Sequence, residues 1–271
     1  MAAVLGACGG SLSHRSVAEM SGELPIGHGI ERVRIEIQNG TVGVDVHEAR
    51  VVAFAGGVRR AADTAAELAQ LEQIAIPLSA APDSRDQHTL VVRGPAIPEG
   101  GVRGVLGVEV GIRMPAGVPL EIVITGSGHV TVANRSASTQ VETGRGDLRF
   151  EGCAGGVKAR TGRGNVIAYD HRGDLDIHTK VGDMQAFVRE PGNTIRLVTG
   201  QGTVQCHVPP SIGFDLDARV EVGHIKNRFG LVAETVLDYG AVLVGTRGDM
   251  RTKVVLRTGS GDLWIGPKSY E

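Results

Sequence analysis

The sequence predicts an all-β fold, a parallel β-solenoid (β-helix) with about 18 residues per turn. Three observations indicate it. A short glycine-rich phrase recurs at a fixed interval, apolar and polar residues alternate after each copy, and the chain has 40 glycines but only 3% aromatic residues. Self-similarity at a fixed period is typical of folds that stack one small unit many times. We call one such unit, two short strands joined at a glycine corner, a rung.

The recurring phrase reads Thr-Gly-X-Gly-X followed by an apolar residue, with small changes. Its copies begin at Thr125, Thr143, Thr161, Thr179, Thr199 and Thr258, and the first four are spaced by 18 residues before a step of 20. Glycine at a corner supplies a positive φ without a Cβ clash. We therefore predict that the threonines from Thr125 to Thr199 stack as a column beside the corners.

The residues that follow each corner alternate in character. The second position after the last glycine of each phrase is always apolar, in Val130, Leu148, Val166, Met184, Val204, Ile225 and Leu263. The next position is mostly polar, which is the period of a strand with one buried face. Equal spacing favours parallel, in-register stacking at about 4.8 Å per rung.

The chain divides into a leader, a capping segment and the rungs. We read 1–29 as a leader and flexible tether, 30–124 as N-terminal strands with a capping helix near 59–73, 125–230 as regular rungs, and 231–271 as irregular rungs and a C-terminal cap. Residues 30–271 would form one continuous domain. Caps are expected because bare strand edges recruit other chains.

The first residues allow two interpretations. Leu5-Gly6-Ala7-Cys8 resembles a lipobox, in which the cysteine becomes lipidated, and the following Gly-Gly-Ser-Leu-Ser suits a tether. Only seven residues precede Cys8, so a basic region and most of an apolar region are missing. The lipobox favours a lipid-anchored envelope protein, and a true start at Met1 favours a cytoplasmic one.

The corner phrase, the opening Ile-Glu-Ile-Gln-Asn-Gly-Thr-Val at 35–42 and the closing Leu-Arg-Thr-Gly-Ser-Gly-Asp-Leu at 256–263 resemble the bacterial putative-adhesin family of β-strand-repeat proteins, a domain of unknown function. The likeness covers roughly residues 30 to 266 by the repeat criterion. It implies an extracytoplasmic β-helical protein without assigned catalytic residues.

Composition excludes several functions. The formal net charge is −2 and no segment concentrates Lys or Arg beyond the pair Arg59-Arg60, which disfavours nucleic acid and anionic membranes as partners. The three cysteines are too few for a disulfide framework. Cys206 falls in an inward column and is predicted to be buried. No spacing of His and Cys indicates a metal site, so we expect no cofactor.

Catalysis and calcium binding are alternatives at the corners. Asp147, Asn165 and Asp183 would form one outward column, with the two carboxylates about 9.6 Å apart, the far limit for an inverting glycosidase pair. Asp and Asn also favour corners for backbone reasons alone. Asp is absent from most corners, which disfavours calcium. A second outward column, Glu142, Arg160 and His178, is more simply explained by opposite charges on neighbouring strands. We expect no enzyme activity.

Binding is the favoured class of function. Tyr169, Phe187 and His207 form an outward column after Glu151, and exposed aromatic side chains can anchor a partner or stack on a sugar. The alternative is that Tyr169 and Phe187 fold over the core, and Trp264 could be a cap. We expect a surface-tethered adhesion, binding or structural protein with an unknown protein or glycan partner. A scaffold that self-associates through its ends is the alternative.

Overall fold

The computed structural model describes residues 13–75, 78–97, 103–231, 235–236 and 239–268. The strands are β1 (His14–Pro25), β2 (Arg32–Ile37), β3 (Gly40–Val46), β4 (Val51–Ala62), β5 (Ser79–Pro82), β6 (Thr89–Arg93), β7 (Val105–Met114), β8 (Leu120–Ser127), β9 (Val130–Ala133), β10 (Thr139–Arg145), β11 (Leu148–Glu151), β12 (Val157–Arg163), β13 (Val166–Val181), β14 (Met184–Gln201), β15 (Val204–Val208), β16 (Phe214–Val222), β17 (Ile225–Asn227), β18 (Thr235–Val236), β19 (Ala241–Arg247), β20 (Thr252–Ser260) and β21 (Leu263–Pro267). The described helix is α1 (Ala65–Glu72).

The strands form two hydrogen-bonded ladders. The first ladder runs β5-β6-β2-β8-β10-β12-β13-β14-β20-β16-β19-β18. The second ladder runs β1-β4-β7-β3-β9-β11-β13-β14-β15-β21-β17. Because β13 and β14 pass through both ladders, all the strands belong to one sheet. A single apolar core lies under its inward face.

The prediction of a regular parallel β-solenoid is wrong. The sheet is mixed and nearly closed into a barrel shape, with antiparallel pairs β1–β4, β4–β7, β5–β6, β16–β19 and β18–β19. The repeated phrase lies at the ends of strands that pair in parallel, namely β8, β10, β12, β13, β14 and β20. The antiparallel strands lie toward the ends of the ladders, where the phrase is absent and the chain turns back on itself.

The inward column of the central strands is observed. Leu148 is in register with Val130 on one side and with Val166 on the other, and all three side chains are buried. These pairs are parallel, and the alternation of buried and exposed residues along β11 and β12 follows the period of a strand.

The threonine column differs from the prediction at its first member. Thr143, Thr161, Thr179, Thr199 and Thr258 are buried, whereas Thr125 is exposed and Ile124 pairs with Thr143. A register shift at the end of this pairing displaces Thr125. The Thr199 hydroxyl donates to the carbonyl oxygens of Gly182 and Gln201, each 3.1 Å away. The column therefore holds the corners of adjacent rungs together.

The corner glycines are required by the stacking of one backbone on the next. Gly164 has φ +155°, and a Cβ there would lie 2.1 Å from the carbonyl oxygen of Gly146. Gly182 has φ +148°, and its Cβ would lie 2.0 Å from the oxygen of Gly164. Any side chain at these positions would force neighbouring rungs apart.

The N-terminal segment differs from the prediction in two ways. Part of the predicted tether, His14–Pro25, is strand β1, which pairs along its whole length with β4. The helix predicted near 59–73 is shorter, because β4 continues through Ala62. Thr64 caps α1: its side chain accepts from the backbone N–H of Glu67, and the Glu67 carboxylate accepts from the N–H of Thr64.

Of the C-terminal strands, β19 and β18 end the first ladder, whereas β20 and β21 lie inside the stack. Strand β20 lies between β14 and β16, and β21 lies between β15 and β17. Leu263 is therefore in register with both Val204 and Ile225, although Ile225 was expected beside Val204. The last copy of the phrase is inserted inside the stack, so the order of rungs in space differs from their order in the sequence.

Candidate functional site

The corner residues link each rung to the next through the backbone. Oδ1 of Asp147 accepts from the N–H of Asn165 at 2.8 Å, and Oδ1 of Asn165 accepts from the N–H of Asp183 at 2.9 Å. Nδ1 of His129 accepts from the N–H of Asp147 at 3.2 Å. These side chains are occupied in satisfying backbone donors, which is the backbone role that favours Asp and Asn at such turns.

The outer face of the first ladder is covered by ion pairs. Nε of Arg34 lies 2.8 Å from Glu121, and Nε of Arg93 lies 2.9 Å from Glu36. In the predicted column Glu142, Arg160 and His178 the three residues are in register, but His178 pairs with Asp176 at 2.8 Å.

A groove of about 480 Å³ crosses the start of the first ladder's strands, with Lys158, Asp174, Asp176 and Arg196 in its lining. Oδ1 of Asp174 accepts from the N–H of Thr194, and Arg196 lies 3.8 Å from Asp176. Both carboxylates are therefore engaged with their neighbours in the fold.

Three polar side chains are buried at the opposite corner, spaced by the 18-residue repeat. Arg135 donates to the carbonyl oxygens of Pro115 at 2.6 Å, of Met114 at 3.4 Å and of Val118. Cys153 and His171 follow on the next two rungs and are also buried. Burial lowers the pKa of His171 and raises the pKa of the Cys153 thiol. Solvent does not reach these groups, so they serve the interior.

The two remaining cysteines are Cys206 and Cys8. Cys206 is buried in register with Ala186 and Ile265, as predicted, and burial raises the pKa of its thiol to about 12. Cys8, the predicted lipidation site, lies outside the described residues.

Within the described ranges, no group of three or more His, Cys, Asp or Glu side chains could hold a metal ion. None of the described helical segments has the length and apolar character needed to cross a membrane.

The predicted aromatic column comes together on the outer face of the second ladder. Register pairs Phe187 with His207. The ring centroids of Tyr169 and Phe187 are 5.6 Å apart, and those of Phe187 and His207 are 4.4 Å apart and stacked. Tyr169 is 46% exposed, and Phe187 and His207 are half-buried. The three rings therefore form a continuous outward row rather than part of the core.

A fourth ring extends this row. Trp264 is in register with Gln205, two residues before His207 along the strand, yet its centroid lies 4.1 Å from that of His207. The ring reaches across Gly266, where a Cβ would lie 2.6 Å from the indole. We call Tyr169, Phe187, His207 and Trp264 the aromatic strip.

Two cations contact the aromatic strip. The Lys268 ammonium lies 4.1 Å from the ring centroid of Tyr169 and 4.2 Å from that of Phe187, and the Arg228 guanidinium lies 5.9 Å from that of Trp264. Cations over ring faces are attracted by the ring quadrupole. Burial, assisted by the charge of Lys268, lowers the pKa of His207 to about 4. The imidazole is therefore neutral at ordinary pH and behaves as a third flat ring.

Sequence analysis did not place Trp264 in the row and missed Lys268 and Arg228. A signal for Trp264 exists in Gly266, since a glycine in the outward column leaves space for a large neighbour. No comparable signal marks Lys268, because it follows β21 and reaches Phe187 and Tyr169, which lie two and three strands away in the second ladder.

These observations define an all-β protein of stacked strands that carries the aromatic strip on an outer face. No protein-family model matches the chain, and no curated protein matches it. The solved structures that resemble it distantly include the following two. A "putative cell adhesion protein" from Clostridium sporogenes is 15% identical, with a TM-score of 0.42, and the alignment covers 93% of this chain and 100% of that one.

The second is a "putative lipid binding protein" from Parabacteroides distasonis, which is 11% identical with a TM-score of 0.37, over 93% of this chain and 97% of that one. At these values neither likeness carries an argument about ligand or activity. Membership of the adhesin family therefore stays a prediction. One of the distantly similar structures carries a related description.

Proposed function

We propose that the protein is a non-catalytic binding protein of the cell envelope, with an adhesive role, and that the aromatic strip contacts a glycan chain. The observation that carries the proposal is the contact of four rings on four neighbouring strands of the second ladder, with Tyr169 46% exposed. Aromatic side chains that remain on the surface of a protein commonly anchor a binding partner.

The strip is held rigidly, which suits recognition. Its residues project from β13, β14, β15 and β21, which are central strands with a hydrogen-bonded neighbour on both sides. The rings also restrain one another through stacking. Little conformational entropy is lost when a ligand settles on side chains that are already ordered.

The test is binding of the purified protein to an array of bacterial surface glycans, compared with a Tyr169→Ala/Phe187→Ala variant. We expect the variant to lose at least 10-fold in affinity while its denaturation midpoint changes little. Tyr239→Ala, at a tyrosine that is 79% exposed away from the strip, is the control and should bind normally. Lower stability with unchanged glycan binding would show that the strip only shields the core.

The envelope location is tested separately. Cells that express the gene with its upstream codons are fractionated, with and without Cys8→Ala. We expect the unaltered protein in the membrane fraction, and the variant in a soluble fraction. Recovery of both forms from the cytoplasm contradicts the location but leaves the glycan test in force.

Self-association is the second candidate, and strand β1 favours it. Among the described residues β1 pairs only with β4, so the outer edge of a 12-residue strand lacks a partner, and Val17 there is 68% exposed. Such an edge can pair with a second chain. Sedimentation at rising concentration tests this: growing species that Val17→Lys abolishes indicate a scaffold, and a constant monomer indicates an independent binder.

A further inference from the structure

The outer edge of β1 carries a regular set of backbone groups without partners among the described residues. Just after β1, the N–H of Ile26 donates to the carbonyl oxygen of Arg50 at 3.0 Å. Residues that bond across an antiparallel pair alternate with residues that do not. The even-numbered residues of β1 therefore point their backbone groups at β4, and the odd-numbered ones in 13–23 point theirs at the open edge. The carbonyl of Ala18 agrees, since a Cβ on Gly57 would lie 3.2 Å from its oxygen.

The same edge-facing residues place a cation, an apolar group and an anion on the outer face. Arg15, Val17 and Glu19 are exposed, and Val17 is 68% exposed. Within the described part of the chain, no carboxylate lies within 4.0 Å of the Arg15 guanidinium and no cation lies that close to Glu19. Arg59, which lies opposite Val17 on β4, is bonded to Glu109 at 2.6 Å. Arg15 and Glu19 are therefore both available to a partner.

We propose that two copies of the chain form a dimer by pairing their β1 strands antiparallel, about a two-fold axis at Val17. Val17 then lies opposite Val17 of the second copy, and Arg15 lies opposite Glu19 of the second copy, twice by symmetry. Opposite charges and β-branched side chains directly across an antiparallel pair stabilise it. Residues 13–21 of the copies overlap, so five edge-facing residues of each are opposed and about ten backbone hydrogen bonds form, two per opposed pair.

The charges on the edge favour this register over others. A parallel, in-register pair would place Arg15 beside Arg15, and an antiparallel pair about Glu19 would oppose two carboxylates. Like charges in such positions destabilise a strand pair. The two-fold arrangement also uses the β1 edge of both copies, so a third copy finds no free β1 edge. It therefore gives a closed dimer, unlike a scaffold that grows.

The dimer goes beyond the proposed function and is compatible with it. The aromatic strip begins at β13, the seventh strand from β1 along the second ladder. Pairing through β1 leaves the strip uncovered, so the dimer carries two strips. Two linked sites bind a repeating polymer more tightly than one site does, provided that the polymer spans both.

The test is sedimentation of the full chain at rising micromolar concentration. We expect the average mass to rise from that of one chain to that of two and then to stay constant. Arg15→Glu and Glu19→Arg each oppose like charges in both pairs and should weaken dimerisation at least 10-fold. The double variant Arg15→Glu/Glu19→Arg restores opposite charges and should recover most of the loss. Glu23→Arg, at an exposed position of β1 outside the overlap, is the control.

A mixture of the two single variants sharpens the test. One variant has only acidic and the other only basic side chains at positions 15 and 19, so the mixture should form a heterodimer although neither variant dimerises well alone. All these positions are exposed, so the denaturation midpoints should change little.

Each contrary result has a distinct meaning. A monomer at every concentration overturns the dimer, and growth beyond two copies overturns it in favour of the scaffold. A dimer that the single variants leave intact, or that the double variant fails to restore, overturns the pairing of Arg15 with Glu19. The glycan array tests the aromatic strip separately, so a monomer leaves the proposed function standing and an array without binding leaves the dimer standing.

Discussion

Oδ1 of Asp183 accepts a hydrogen bond from the backbone N–H of Thr203, 2.7 Å away on the next rung. A carboxylate acceptor strengthens such a bond. We predict that Asp183→Ala lowers the free energy of unfolding by about 1 kcal/mol, because the exposed N–H of Thr203 loses this acceptor and gains only water in its place. Asp183→Asn keeps an acceptor and should recover most of the loss. Urea denaturation measures both, and equal losses would contradict the hydrogen-bond account.

The corner glycines give a steric prediction. In Gly164→Ala the new Cβ meets the Gly146 carbonyl at 2.1 Å in a backbone region that disfavours side chains. We expect a loss of about 3 kcal/mol or more in the free energy of unfolding. Gly43→Ala is the control, because no atom lies within 4 Å of its Cβ and its φ is not positive. A Gly164→Ala protein as stable as this control would show that neighbouring rungs can move apart at the corners without loss of stability.

The buried Arg135 gives a prediction about the turn between β7 and β8. Its guanidinium donates to carbonyls in the 114–118 segment, and within the described residues no carboxylate pairs with it. Arg135→Met keeps much of the apolar volume but leaves those carbonyls without donors, so we expect a loss of about 2 to 4 kcal/mol. The exposed Arg163→Met is the control in chemical denaturation. Unchanged stability in Arg135→Met would mean that the carbonyls find other donors.

The pKa of His207 gives a prediction about acid. The folded value is about 4, below the ordinary 6.5, because the ring is buried and lies near Lys268. Between pH 6.5 and 4 the unfolded chain therefore binds the proton more readily than the folded one, and stability falls as pH falls through this range. The buried His171 acts in the same direction.

His207→Phe keeps a stacked ring without a titrating group. We expect its denaturation midpoint to fall less between pH 6.5 and 4 than that of the unaltered protein. His14→Gln, at an exposed position, should leave the slope unchanged. If His207→Phe keeps the full pH dependence, protonation of His207 does not cause the loss of stability in acid.

The sequence predicts local geometry better than topology. The alternation around Leu148 and the phrase spacing predict the parallel central pairs, because each depends only on residues one repeat apart. They do not predict that Leu263 lies between Val204 and Ile225, since the phrase is nearly the same in every rung and so carries little information about which copies pair. The antiparallel strands lack the phrase, so nothing in the repeat announces them.

The sequence likewise predicts only part of the candidate site. The column of Tyr169, Phe187 and His207 follows from repeat spacing alone, and the structure brings these rings together. The side chains of Trp264 and Lys268 reach these rings across neighbouring strands. Trp264 uses the open space over Gly266, and Lys268 depends on the path of the chain after β21. Spacing in the sequence does not encode either.

The position of β20 and β21 also has a consequence for protein synthesis. The ribosome makes β16 and β17 first, yet β20 and β21 finally separate them from β14 and β15. Until 252–267 emerge, the nascent chain carries a slot with open edges on both sides. Pairing of β16 and β17 with β14 and β15 before that point would give a misfolded molecule, because exposed strand edges pair with whatever strand is available.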